Sequence, residues 1–219
     1  MEDPQRPELS AWLASSPHRL NLGRIGLALT KQDGAPAVQS DLQNARQQLD
    51  LWTGLVTSRF ELEGQPVTVM TACDPALDAV AVRIESPLIA AGCLALFLEC
   101  PGDNPLAFAN FVGDWSRPGR FERRPALRQG RADFGRRLDA DACCVSLTWQ
   151  GTARLRQNAE YPLAATSAPN RITLQPSAKS SAFSCVCAFA PPMPGIEKGT
   201  MKRRCGWSSS CITDRKSVV

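Results

Sequence analysis

Between Leu51 and Glu99 the chain is written almost entirely in a period of two. In Leu51–Leu62, Gln65–Cys73, Ala79–Ser86 and Gly92–Glu99, β-branched and apolar residues recur at every second position, and turn residues separate the runs. That period puts alternate side chains on opposite faces of an extended chain, so four strands are the economical reading. Val67, Val69, Thr71 and Cys73 are expected on one face, and Val80, Val82 and Ile84 on one face of the next strand. Glu63-Gly64 predicts a tight hairpin, because glycine accepts the positive φ such turns need. Asp74-Pro75 and Ser86-Pro87 stop the chain on either side of the third run. The expectation is an antiparallel meander.

Upstream, Arg19–Leu29 alternates in the same way, with Gly23 and Gly26 permitting a close approach or a bulge. Ser40-x-x-Gln43 has capping-box spacing ahead of the polar run Asp41–Gln48, which reads as a short helix or a solvated loop. Past Pro101, Pro105, Gly113, Pro118, Gly119, Pro125 and Gly130 interrupt an arginine-rich stretch without periodicity, which predicts a long surface excursion. Strand texture returns at Ala142–Trp149, Thr152–Arg156, Arg171–Gln175 and Ala182–Ala190, with Gln150-Gly151 joining the first two. About nine strands and no sustained helical period point to an all-β, antiparallel sandwich with Greek-key or meander links.

The chain's 219 residues, 43% of them hydrophobic, suit one such domain with extensions. We divide it into a leader (1–10), a sandwich (11–195) and a basic tail (196–219). The tail holds six bases and two acids, which is the whole formal charge of +4, so the preceding body is neutral. It lacks apolar alternation and reads as disordered, or as sequence outside the native frame. Basic character confined to a tail argues against a nucleic-acid partner.

Several chemistries are excluded. No apolar run approaches the roughly 20 residues of a membrane-spanning helix, so no membrane partner is expected. Met1–Glu8 carries acids and two prolines where a secretory leader has a basic start and an apolar core, so the sequence assigns no compartment. The nine cysteines include no Cys-x-x-Cys pair, and His18 is the only histidine, which leaves neither a metal site nor a Ser-His-Asp triad. Most cysteines read as small core residues; Cys143 and Cys144 point to opposite faces, while Cys185 and Cys187 share one. No cofactor is implied.

Two ordered blocks carry a resemblance. Ser16-Pro17-His18-Arg19-Leu20-Asn21-Leu22-Gly23-Arg24-Ile25-Gly26-Leu27, followed by Gln48-Leu49-Asp50-Leu51-Trp52-Thr53-Gly54, resembles the six-hairpin glycosidase family. Val56–Phe60, Val67-Thr68, Asp74-Pro75, Ala79–Val82, Asp114-Trp115 and Cys187–Pro191 continue it, over approximately Ala11 to Pro194. The resemblance implies a galactose-mutarotase-like supersandwich in front of an (α/α)₆ toroid, and glycoside hydrolysis by the whole protein, with the catalytic acid and base in the toroid. A linker helix is expected near Gly195 but is not legible there, and the block that usually precedes the Pro-His-Arg-Leu-Asn motif does not fit within Met1–Glu8. We therefore expect a piece truncated at both ends and inactive alone. A free-standing carbohydrate-binding or interaction module is the rival reading.

Glycoside hydrolysis needs two carboxyl groups flanking the bond. Asp50, Asp74, Asp78 and Asp114 are available, but the first lies beside a strand start, and Asp74 and Asp78 bracket a turn, where Asp caps its own backbone. His18, Arg19, Asn21 and Arg24 form the densest polar cluster and either line a sugar cleft or fix the sandwich edge; the second role is favoured. Trp115, in a loop, is the better sugar-stacking residue, whereas Trp52, between Leu51 and Leu55, and Trp149 are expected to pack in the core. Arg117, Arg120, Arg123, Arg124, Arg128 and Arg131 are interleaved with acids and read as a solvated loop.

Overall fold

The computed structural model describes residues 6–9, 21–102, 114–119, 121–123, 129–138, 141–157, 171–177 and 180–191. The basic stretch 196–219 and most of the leader lie outside them. The chain runs through β1 (Arg24–Leu29), a 3₁₀ turn (Gln39–Asp41), β2 (Leu42–Asp50), β3 (Leu55–Leu62), β4 (Gln65–Cys73), β5 (Ala79–Glu85), a one-turn helix α1 (Pro87–Ala90) and β6 (Leu94–Glu99). It continues through β7 (Pro101–Gly102), β8 (Asp114–Pro118), β9 (Phe121–Arg123), β10 (Arg131–Leu138), β11 (Asp141–Trp149), β12 (Ala153–Gln157), β13 (Ile172–Pro176) and β14 (Ala182–Ala190).

These strands form an antiparallel sandwich. One sheet has four strands, ordered β1-β6-β13-β12, and the other has eight, ordered β2-β3-β4-β5-β14-β11-β10-β9. The core lies between them: Leu94, Leu96, Leu98, Ile172 and Leu174 of the small sheet meet Leu62, Val67, Val82, Ile84, Val145, Leu147 and Phe183 of the large one. Cys185 and Cys187 are buried in the same cluster, and Trp149 packs against it. Val67, Val69, Val80, Val82 and Ile84 all contribute to that core, as their spacing requires.

The β3–β4 hairpin turns at Glu63 and Gly64, whose φ values of 50° and 75° are the pair of left-handed conformations that match the strand twist. The meander ends one strand earlier than expected. β5 pairs with β4 and β14, whereas β6 lies in the other sheet between β1 and β13. The cause is local: the Ser86 hydroxyl accepts from Leu88 N at 3.1 Å, and Pro87 fills the first helical turn, so Ser-Pro starts a helix that turns the chain across the sandwich. The run Leu94–Leu98 is apolar at every position because β6 is the doubly covered centre of its sheet.

Three other expectations are corrected. The polar run after Ser40 is neither helix nor loop but the edge strand β2, and the box spacing marks only a 3₁₀ turn. Leu51 to Gly54 form the turn before β3 instead of its first residues, leaving Trp52 98% exposed and not in the core. The stretch after Pro101 contributes β7 to β10, and Arg131 is buried in β10 instead of being solvated. The short strands there also raise the count above nine. β11 and β12, though adjacent in sequence, belong to different sheets.

Gly26 marks where the small sheet tolerates no side chain. A Cβ there would stand 2.4 Å from the Phe97 ring on the neighbouring strand. Gly26→Val is expected to cost about 2–3 kcal/mol by overpacking, whereas Gly64→Ala, whose Cβ meets open space, costs about 1 kcal/mol through its positive φ alone. Urea unfolding of both variants checks the order.

Candidate functional site

The polar cluster of the first block is built on the entry to β1. Asn21 Oδ1 accepts from Gly23 N at 2.9 Å, an Asx turn that sets the direction of the strand. Gly23, at φ 136°, passes so close to β6 that a Cβ would be 2.6 Å from the Glu99 carbonyl. Arg24 follows, and its Nε donates to Glu99 Oε1 across the β1–β6 pair, where the two residues are direct partners.

Glu99 is the centre of this arrangement. It is 2% exposed, and its second oxygen accepts from Arg171 Nε at 3.0 Å. The Arg171 guanidinium also lies over the Phe97 ring, 4.1 Å from its centroid, an arrangement that stabilises the cation through the π face. Arg24 is 56% exposed at its side chain, so the clamp has one buried and one solvent-facing cation. Arg136 reaches from the large sheet: it donates to the Asn21 carbonyl and, at 2.8 Å, to the Pro101 carbonyl. Its Nε, by contrast, is buried with no hydrogen-bond partner among the described residues.

A second buried network stands on β10 and β11. Arg131 donates through Nε and a terminal nitrogen to Asp133 at 2.8–3.0 Å, and Ser146 Oγ donates to Asp133 Oδ1 at 2.5 Å. Asp133 and Ser146 are direct cross-strand partners. Both carboxylates, Glu99 and Asp133, are held by cations and donors on more than one side. Both serve internal ion pairs, and among the described residues neither arrangement pairs two carboxyls across an open cleft as glycoside hydrolysis requires.

An open cavity of about 530 Å³ lies between β1 and the β4, β5 and β14 face. Its wall is mainly apolar, from Ile25, Leu27, Val69, Val80, Val82 and Leu96. Asp74 and Asp78 line it as well, but Asp74 Oδ1 accepts from Ala76 N at 2.9 Å and so serves the turn. Asp50 does the same at the β2–β3 turn: the Thr53 hydroxyl first, then Trp52 N, hold its carboxyl below the usual range.

Of the residues singled out in the sequence, Asn21 and Arg24 are brought together with Glu99. His18 and Arg19 lie outside the described residues, and Trp115 is in β8 with its side chain outside them, as is that of Asp114. Sequence reading missed Glu99, Arg136, Arg171, Asp133 and Ser146. One signal was available for Glu99: an acid closing an apolar run that is buried on both faces must find a cation.

The described residues thus define an all-β sandwich in which two buried carboxylates, Glu99 and Asp133, are clamped by arginine. Neither a family model nor a curated protein sequence matches the chain. Among solved structures, a protein assigned as a kojibiose phosphorylase from the human microbiome superimposes with a TM-score of 0.44 at 10% identity, over 80% of this chain and 23% of that one. A GH36 alpha-galactosidase from Geobacillus stearothermophilus, in complex with 1-deoxygalactonojirimycin, gives 0.32 at 10% identity, over 79% and 28%. The chain therefore spans about a quarter of the length of each. At these scores the sandwich assignment rests on the strand order itself.

Removing the charge of Glu99 leaves two guanidiniums without their counter-ion. Glu99→Gln is expected to destabilise by about 3 kcal/mol, because breaking a buried pair strands its partner, while Arg24→Gln, at the exposed end, costs under about 1 kcal/mol. Urea midpoints measure both. The buried thiols give a pH dependence. Burial pushes Cys100 up to about 11, with Arg136 opposing the shift, and Cys185 up to about 12, from an ordinary 9.0. The unfolded thiols ionise first, so this contribution to stability is complete below pH 9 and is lost as the pH rises towards 11 and beyond. Between the ordinary value and its raised one each such thiol is expected to cost about 1 kcal/mol per pH unit, and Cys185→Ala lowers the slope in thermal unfolding at alkaline pH.

Proposed function

We propose that this chain is the amino-terminal β-sandwich portion of a six-hairpin glycoside hydrolase acting on O-glycosidic bonds of oligo- or polysaccharides. Its role is to brace the (α/α)₆ toroid and to shape one wall of the substrate cleft, while the catalytic carboxyls belong to the toroid. The observation that carries the reading is the position of the two resembling blocks. The first leads into β1 and the second forms the β2–β3 hairpin of one antiparallel sandwich. The polar residues of the first block also have a bracing task that needs no substrate, since Asn21 and Arg24 tie β1 to Glu99 and to Arg136 of the other sheet. On this reading the residues offered to the sugar are His18, Arg19, Asn21, Arg24 and Trp115, and the partners are carbohydrate and the protein's own toroid.

The rival reading, a carbohydrate-binding module without a catalytic parent, has one observation in its favour. The Trp52 indole is almost wholly exposed at a hairpin end, where an aromatic face can meet a pyranose ring.

Two measurements separate these readings. The nucleotide sequence flanking the reading frame is expected to contain a toroid-coding segment downstream, in any frame; intact regulatory sequence directly after Val219 would overturn the proposal. The purified chain, incubated with a panel of aryl glycosides, is expected to release no more phenol than buffer does, and turnover by it would refute a non-catalytic role. Oligosaccharide titration followed by tryptophan fluorescence is expected to give no saturable change that depends on Trp52, and a saturable change abolished by Trp52→Ala would favour the module.

A further inference from the structure

The large sheet ends on two very different edges. β9 is three residues long, the short edge by which sandwiches avoid pairing with other chains. β2 is nine residues long and exposed on both faces from Gln43 onwards, with neither proline nor lysine to discourage pairing. Its one irregularity, a bulge between Gln43 and Arg46 with Asn44 at φ 52°, leaves the stretch Arg46-Gln47-Gln48-Leu49-Asp50 regular. Along that stretch β2 has β3 on one side, and its other edge has no strand among the described residues.

We infer that β2 is a self-association edge, on which a second copy of this chain adds its own β2 antiparallel about a two-fold axis at Gln48. The charges choose both the occupant and the register. An antiparallel copy centred on Gln48 sets Arg46 against Asp50 of the second copy, Gln47 against Leu49, Gln48 against its own equivalent, and Asp50 against Arg46. A single register therefore places opposite charges together twice, and a two-fold axis requires that they come in such pairs. Arg46 has a reason to accept the contact. Within its own sheet it stands directly opposite Arg59, both are exposed, and neither has an ion pair among the described residues. Like charges in directly opposed positions are unfavourable, and an incoming carboxylate relieves them.

The apolar residues of the edge agree with this arrangement. Leu49 is 52% exposed, and its equivalent in the second copy is its diagonal neighbour on the same face, within reach of a long side chain. Leu51, 85% exposed just past the strand end, falls beside the bulge of the other copy. Pairing over five residues buries less than the roughly 1,000 Å² of a stable interface, so the association is weak, concentration-dependent and weakened by salt.

Sedimentation equilibrium of the full chain, from low-micromolar to near-millimolar concentration, tests this. A monomer–dimer equilibrium is expected. R46D replaces two attractive pairs by two repulsive ones and weakens the dimer by about tenfold or more; the double variant R46D/D50R restores the opposite charges and recovers the wild-type association. A wild-type chain that stays monomeric throughout, or an R46D variant that associates as well as wild type, overturns the proposal. Asp50 also caps its own turn, so a second measurement is independent of it. In a C73S/C205S/C211S background, Q48C is expected to oxidise to a disulfide-linked dimer while Q43C, beyond the bulge, stays monomeric. Equal cross-linking of the two, or none, refutes the two-fold register.

Discussion

A carboxylate withdrawn from water at the end of β6 has to be compensated, and the answer at Glu99 organises the small sheet. β6 is covered on both faces, so the acid at its end is removed from water with the strand. Desolvating one ion costs several kcal/mol unless cations and donors replace the lost water. Arg24 supplies one cation from β1 and Arg171 the other from the residue before β13, the two strands that flank β6. Apolar packing alone would let neighbouring strands slide by two residues and still bury leucines. An ion pair between Arg24 and Glu99, direct partners in the β1–β6 register, makes such a slip expensive.

Arginine plays the same part between the sheets. Arg136 comes from β10 on the large sheet and donates to two carbonyls, of Asn21 before β1 and of Pro101 after β6. A guanidinium presents several donors in a fixed fork, which suits it to joining backbone segments that share no ladder. The Cys100 and Cys143 thiols beside it stay neutral because burial outweighs the pull of the cation. Arg131, Asp133 and Ser146 are linked to one another on the opposite face of β10 and β11, so these strands carry charge on both sides while remaining buried.

The contrast with β2 follows from where each strand lies in the sheet. β10 and β11 have a neighbour on each side, so their polar groups are consumed internally. β2 has one, and Arg46 and Leu49 remain at the surface beside the exposed Leu51 and Trp52 of its hairpin. Residues 48–54 therefore lie on an exposed edge of the large sheet. Arg24, by contrast, starts the edge strand of the small sheet and is tied to Glu99.

Much of this was legible in the residues. Alternation located β3, β4, β5, β11 and β14 because a period of two depends only on local geometry and on which face meets apolar atoms. Glu63-Gly64 declared its hairpin through φ, and Gly23 and Gly26 declared a close approach because they have no side chain. Sheet membership was decided elsewhere: β6 left the meander, and β11 and β12 parted, because pairing depends on where the chain goes after each strand. β2 and β10 were hidden for a related reason. Their polar residues carry no apolar period, since one strand is open to water on both faces and the other satisfies its charges through ion pairs and hydrogen bonds made while buried. Trp52 was misplaced because apolar neighbours in sequence do not guarantee apolar neighbours in space at a turn. The sequence alone determined an all-β chain and most of its strand positions, through local φ preferences and face alternation. Only the tertiary structure decided which strands share a sheet and which charges are buried, because both depend on long-range contacts that no local pattern encodes.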